Sequence, residues 1–254
     1  MKLTVIGAGC WGLTLAWLLT DNFDKVTVWG REQDLSEDLL KNKHASKPLE
    51  VQLADKVEVT SNLSAAIDGA DIILNVVATS GTRNVCENLK KSGIKSEQIL
   101  VNASKGIELP SLMRMSEVIK DVLPEQKLAI LSGPTLAKEV LAGKPTAACV
   151  ACEDMQVAEF VQKACNVPDR FRLYTNSDVI GVELGGSLKN VIAIASGFAH
   201  EMGLGDNCAG ALLTRGMAEI VRVSIQLGAN PSTLYGLSGM GDLIATCSSP
   251  MSRN

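Results

Sequence analysis

The most constraining feature lies at the amino end. An apolar, β-branched run at residues 3–6 passes directly into Gly7-Ala8-Gly9-Cys10-Trp11-Gly12 and then into a helical pattern that continues to about residue 19. Three glycines at this spacing, set between a strand and a helix, meet three separate steric demands. Gly7 allows a tight turn, Gly9 lets a pyrophosphate approach the backbone, and Gly12 lets the helix lie close to the strand. The first helical amides have no partner inside the helix and so face the negative charge. A glycine-rich turn without a ligand would not require this order on both sides. The segment reads as the first strand-helix unit of a dinucleotide-binding sheet.

Similar short runs recur at residues 26–29, 57–60, 72–77, 99–102, 128–131, 147–151 and 171–174, separated by helix-length connections. That alternation predicts right-handed crossovers and a mostly parallel sheet of the Rossmann type. Aromatic residues make up only 4% of the chain against 46% hydrophobic, which favours helices packed on a buried sheet over a β-sandwich. Near residue 178 the pattern changes, and to about residue 228 apolar residues recur at helical spacing. We expect an α/β dinucleotide-binding domain at 1–177 and an all-helical domain at 178–254.

A net charge of −4 and a pI near 5.3 give no general attraction for nucleic acid or an anionic membrane, so a phosphorylated ligand must rely on a few local cations. Seven cysteines at uneven spacing, with no secretory leader, point to reduced thiols in a cytoplasm. Cys149 and Cys152 form a lone C-x-x-C on a predicted strand, where residues three apart face opposite sides, so no metal site is expected. No run reaches the roughly 18 uninterrupted apolar residues of a membrane span.

Candidate cations and acids follow from context. Arg31 ends the second strand, where an acid would bind ribose hydroxyls in an NAD-selective site. Its guanidinium suits a 2′-phosphate, although Glu32 is adjacent and a merely solvated arginine remains the alternative. Lys105, in Asn102-Ala103-Ser104-Lys105-Gly106, falls at the carboxyl edge of a strand, where open α/β sheets bind ligands. Thr135, in Leu131-Ser132-Gly133-Pro134-Thr135, can cap the next helix or donate to substrate. Lys189 lies within an apolar helical run with no acid three or four residues away. Desolvation there would lower its pKa toward proton transfer, unless the side chain snorkels to solvent. Asp242 sits among glycines and aliphatics and needs a partner, for which Lys189 is a candidate. Only two histidines occur, His44 and His200, neither in a strand-end or glycine-rich context.

Taken in order, Gly7 to Gly12, Ser104-Lys105-Gly106, Ser132-Gly133-Pro134-Thr135, Gly181-Val182-Glu183-Leu184-Gly185-Gly186-Ser187-Leu188-Lys189-Asn190, Gly241-Asp242-Leu243 and Ser252-Arg253-Asn254 resemble bacterial glycerol-3-phosphate dehydrogenase across the whole chain. The resemblance implies interconversion of dihydroxyacetone phosphate and sn-glycerol 3-phosphate with NADP(H) or NAD(H), no metal, and supply of a phospholipid precursor. It implies Lys189 as proton donor, oriented by Asp242. Substrate would be lined by Lys105, Gly133, Thr135, Lys189, Asp242, Ser252, Arg253 and Asn254. The cofactor would meet Gly7, Gly9, Cys10, Trp11, Gly12, Arg31, Lys105, Ala137 and Arg253. A cytoplasmic enzyme is expected, with a homodimer as a candidate assembly. Two departures stand out. Ala78-Thr79-Ser80 replaces the family's proline and serine, and relatives continue well past Ser-Arg-Asn. The chain is therefore expected to be an incomplete form whose helical domain is truncated, binding nucleotide but turning over poorly. A ketopantoate-type or 2-hydroxyacid reductase shares the fingerprint and a helical second domain. A nonenzymatic dinucleotide sensor would need neither Lys189 nor Asp242.

Overall fold

The computed structural model describes residues 1–47 and 49–249. In chain order the strands are β1 (Lys2–Ile6), β2 (Lys25–Trp29), the short β3 (His44–Ala45) and β4 (Val51–Gln52), β5 (Val57–Thr60), β6 (Ile72–Asn75), β7 (Ile99–Asn102), β8 (Lys127–Ser132), β9 (Thr146–Ala151) and β10 (Phe171–Asn176). Eight of them form one sheet in the order β10-β9-β8-β7-β6-β1-β2-β5, while β3 and β4 pair separately. Every adjacent pair in the large sheet is parallel except β8 and β9, which run antiparallel with Ser132 opposite Cys149 and Ile130 opposite Ala151. The eight predicted runs are these eight strands. The run expected to reach residue 77 stops at Asn75, because the chain leaves the sheet at its carboxyl edge.

Both faces of the sheet are covered, as its near-continuous apolar strands require. One face carries α1 (Cys10–Leu19), α2 (Glu37–Asn42), α6 (Ala137–Leu141) and α7 (Met155–Cys165), which bury Leu13, Leu39, Val140 and Val161 against Val5, Val28 and Val101. The other carries α3 (Leu63–Ile67), α4 (Thr82–Lys91) and α5 (Met115–Val122), with Ile67, Leu89 and Ile119 on Ile6, Ile73 and Leu100. Period-two alternation sorts the cysteines as expected. Cys149 belongs to one core and Cys152 to the other, and burial pushes the Cys149 thiol up to about 11.

After β10 the described chain is helical: α8 (Val179–Glu201), α9 (Gly205–Gln226), α10 (Pro231–Leu234), a π-helical turn at Leu237–Gly241 and α11 (Asp242–Ser248). Asp178 caps α8 by accepting from Gly181 N at 2.8 Å, and its other oxygen accepts from Asn230 N at 2.9 Å. A single carboxylate thus ties the start of α8 to the start of α10. Leu184, Met217, Ile220, Leu234 and Leu243 close a separate small core.

Glu183, 6% exposed, fastens α8 to the sheet domain. It accepts from Ser116 N at 2.7 Å, Ser116 Oγ at 2.6 Å and Arg114 Nη1 at 2.7 Å, so three donors compensate a buried carboxylate. Burial still raises its pKa, with Ser116 and Arg114 opposing the rise. Among the described residues α8 is the one helix long and apolar enough to cross a membrane, yet half of that stretch is buried inside the fold, as in a core helix. Its outer face presents Val191, Ile194 and Phe198 to the surface.

Candidate active site

The glycine turn is built as the fingerprint demands. Gly7 has φ of +118° and its N–H donates to the Trp29 carbonyl at 2.8 Å, locking β1 to β2. A Cβ on Gly12 would lie 1.9 Å from the Gly7 carbonyl oxygen, whereas one on Gly9 would meet nothing within 4 Å. The turn is thus tight below and open above, on the side a pyrophosphate would take. Gly9 is the N-cap of α1 and supplies no side-chain acceptor, so the first amides stay available to an anion. Cys10 and Trp11 are half-buried beside the turn, and Trp11 packs edge-on against Phe171 with ring centroids 6.3 Å apart. Ala137 opens α6, which packs on α1. These features fit a dinucleotide. Gly12→Ala forces the turn apart, and if overpacking of ~1–3 kcal/mol falls on the bound state, nucleotide binding is weakened about fivefold or more in a fluorescence titration.

Farther along the same carboxyl edge, side-chain amides lace the loops. Asn75 Nδ2 donates to Asn102 Oδ1 at 2.9 Å, Asn102 Nδ2 to the Ser104 carbonyl at 3.0 Å, and Ser104 Oγ to the Val77 carbonyl at 2.6 Å. Thr79, in the segment that departs from the family pattern, donates to the Lys105 carbonyl at 3.2 Å. The loop is thereby fixed, and Lys105 reaches across it. Its Nζ donates to the Gly133 carbonyl at 2.8 Å and to Asp242 Oδ2 at 2.7 Å. Gly133 has φ of +148°, and a Cβ there would sit 2.9 Å from Ala148 Cα, so β8 can turn away only at a glycine. Asn75 Oδ1 and Ser132 Oγ are buried at this edge without a hydrogen-bond partner, leaving polar capacity unused.

Lys189 completes the cluster. It is 7% exposed, and its Nζ donates to Asp242 Oδ1 at 2.5 Å and to Thr246 Oγ1 at 2.7 Å. Asp242, 2% exposed, is therefore shared by two ammonium groups. Burial lowers the Lys189 pKa first and the positive charge of Lys105 lowers it further, while Asp242 opposes both. The glycines before Lys189 explain how α8 comes so close. A Cβ on Gly185 would meet the Ser238 carbonyl at 2.8 Å, and one on Gly186 would meet Ser132 Oγ at 2.6 Å with the Lys105 stem at 3.5 Å. Larger residues would lift Lys189 away from Lys105.

With this geometry in view, comparison with known proteins is decisive. Residues 2–158 match the model of the NAD-dependent glycerol-3-phosphate dehydrogenase N-terminus and residues 178–254 that of its C-terminus. The chain belongs to the NAD-dependent glycerol-3-phosphate dehydrogenase family. A glycerol-3-phosphate dehydrogenase [NAD(P)+] of Listeria monocytogenes is 44% identical over all of this chain and 75% of its own length, and one of Thermoanaerobacter 43% over all of this chain and 76% of its own. The crystal structure of a Coxiella burnetii glycerol-3-phosphate dehydrogenase has 33% identity and a TM-score of 0.91, covering 99% of this chain and 77% of that one. This dehydrogenase is an NAD(P)-dependent oxidoreductase with a Rossmann-like, mainly parallel sheet and a helical carboxyl-terminal part.

The residues predicted for the dehydrogenase beyond the glycine turn do not all meet. Lys105, Gly133, Lys189 and Asp242 converge, and Lys189 pairs with Asp242, 53 residues away, as their contexts suggested. Thr135 lies near them, and of its two open roles the helix cap is not formed. Leu136 is the N-cap of α6, and the Thr135 hydroxyl donates to the Gly133 carbonyl at 3.2 Å, because the chain turns for two more residues before the helix begins. Arg31 stands apart on the exposed surface beyond β2, paired with Asp34. Ser252, Arg253 and Asn254 lie outside the described residues. Sequence reasoning missed Thr246 and the Glu183–Arg114–Ser116 fastening. Thr246 follows Asp242 by four, one helical turn, and that spacing was the available signal.

Proposed function

We propose that this chain interconverts dihydroxyacetone phosphate and sn-glycerol 3-phosphate, with Lys189 as the proton donor in reduction and the acceptor in oxidation. The observation that carries this reading is the buried Lys105–Asp242–Lys189 cluster at the carboxyl edge of a sheet whose first turn is open to a dinucleotide. A nicotinamide dinucleotide bound at the glycine turn would supply the hydride for reduction of the ketone and accept it in oxidation of the alcohol. Lys189 delivers a proton from Nζ to the ketone oxygen, and Asp242 and Thr246 hold that nitrogen in place. Lys105 adds a second positive charge, suited to an anionic substrate. Gly133, Thr135, Ser252, Arg253 and Asn254 complete the substrate wall. Gly7, Gly9, Cys10, Trp11, Gly12, Arg31, Lys105, Ala137 and Arg253 hold the nucleotide.

The boundary near residue 178, a cytoplasmic location, a homodimer and supply of glycerol 3-phosphate for phospholipid synthesis belong to the same reading. NADPH and NADH oxidation should be measured with dihydroxyacetone phosphate and, separately, with 2-ketoacids. Oxidation with the former and not the latter supports the proposal, whereas preference for ketoacids overturns it. Arg31 at the adenosine end favours NADPH, so Arg31→Asp should shift the NADPH:NADH ratio of kcat/KM toward NADH. An unchanged ratio would leave Arg31 a solvated surface group.

A further inference from the structure

Beyond the glycine turn, the adenosine end of the site carries a charge pair that nucleotide binding does not itself require. Arg31 follows Gly30 at the end of β2, and its carbonyl accepts from Asp34 N at 2.8 Å, closing a short 3₁₀ turn. The guanidinium then donates from Nε to Asp34 Oδ2 at 2.6 Å and from Nη2 to Asp34 Oδ1 at 3.0 Å. The backbone beneath is pinned. Gly30 N donates to the Thr60 carbonyl, Trp29 Nε1 donates to the Ser61 carbonyl, and a Cβ on Gly30 would meet Leu35 Cδ2 at 2.6 Å. The two charged groups are thus held together by the turn rather than meeting as free side chains.

We propose that Asp34 sets the preference between the two nicotinamide dinucleotides by occupying Arg31. The proposal rests on reading the Gly7–Gly12 turn as the dinucleotide site with Arg31 beside the adenosine ribose. A carboxylate and a phosphate compete for the same two-pronged guanidinium edge. NADPH must therefore displace Asp34 from that edge or bind with the carboxylate close to its 2′-phosphate, and either disfavours it. NADH carries no phosphate there and loses nothing. Arg31 and Asp34 side chains are 65% and 39% exposed, so the pair is weak enough to be displaced and its effect is a bias rather than a block.

The test is fluorescence titration of NADPH, NADH, adenosine 2′,5′-bisphosphate and adenosine 5′-monophosphate against the full chain. The variants are Asp34→Asn, Asp34→Ala, Arg31→Ala and Arg31→Ala with Asp34→Asn. Asp34→Asn should tighten NADPH and the bisphosphate about three- to tenfold, with NADH and the monophosphate unchanged within about twofold. The gain should shrink in high salt and vanish in the Arg31→Ala background. Equal tightening of all four ligands, no tightening in either Asp34 variant, or a gain that survives loss of Arg31 would each overturn the role of Asp34. If wild-type protein binds neither dinucleotide, it is the cofactor reading that fails, and this proposal falls with it.

Discussion

Lys189→Met will lower the turnover of dihydroxyacetone phosphate on the order of a hundredfold or more, the range expected for loss of a positioned general acid, while nucleotide affinity changes little. Methionine keeps an unbranched stem in the slot left by Gly185 and Gly186 but brings no proton and no charge. The split between turnover and nucleotide binding follows because Lys189 Nζ is engaged with Asp242 and Thr246 rather than with the glycine turn. A pH profile supplies an independent check. Burial and Lys105 lower the pKa of Lys189 from the ordinary lysine value, with Asp242 opposing. Reduction needs the protonated form, so its rate falls as pH rises through that lowered pKa. Oxidation needs the neutral form and gains over the same interval. Both limbs should be absent in the variant. Wild-type turnover, or an unchanged pH profile, would remove Lys189 from the reaction.

Asp242→Ala should be as damaging, for a different reason. The single carboxylate at 2% exposure holds Lys105 and Lys189 together. Without it two ammonium groups face each other with no anion between them. Deleting one partner of a buried ion pair costs about 3–5 kcal/mol, which in a chain of this size lowers the melting temperature by roughly 10 °C. The variant can relieve part of that cost by releasing the Lys189 proton, which strips the site of its acid. We expect a fall in kcat/KM on the order of a hundredfold, with both losses smaller in Asp242→Asn because a polar partner is kept. Urea unfolding measures the first loss and steady-state kinetics the second. A variant as stable and as active as wild type would mean that the three residues do not act as a unit.

How much of this was legible in the sequence depends on whether the physics was local. The strands were, because most are short apolar runs separated by helix-length connections, and the glycine turn was, because its three steric demands fall within six consecutive residues. Lys189 was legible as an anomaly, a cation in an apolar helical run, and Asp242 as its complement. Their pairing with Lys105 was not. The Lys105–Asp242 contact spans 137 residues of chain, and no periodicity reports a pairing of that range. Thr135 stayed open between capping and substrate contact because a hydroxyl can serve a helix start equally well at several offsets, and only the path of the backbone removes the cap. Glu183 was hidden by the same limit. Its neighbours in sequence are apolar or small, and its three donors come from Arg114 and Ser116, some 67 to 69 residues away in the chain.

The single reversed pair in the sheet determines the heading of the helix that carries the chemistry. Because β9 and β10 run against β8, the chain leaves β10 at Asn176, level with Ala151 and Ile130 and short of the carboxyl edge. Helix α8 therefore starts below that edge and climbs. Val182 packs in the core that holds Ile130, and four residues later Gly186 lies over Ser132. Four helical residues and two strand residues both advance about 6 Å, so helix and strand stay in step. One further turn lifts Lys189 just over the rim, where Lys105 waits. Had the last two strands followed the direction of the others, the helix would have set out from the rim itself and carried its lysine away from the sheet.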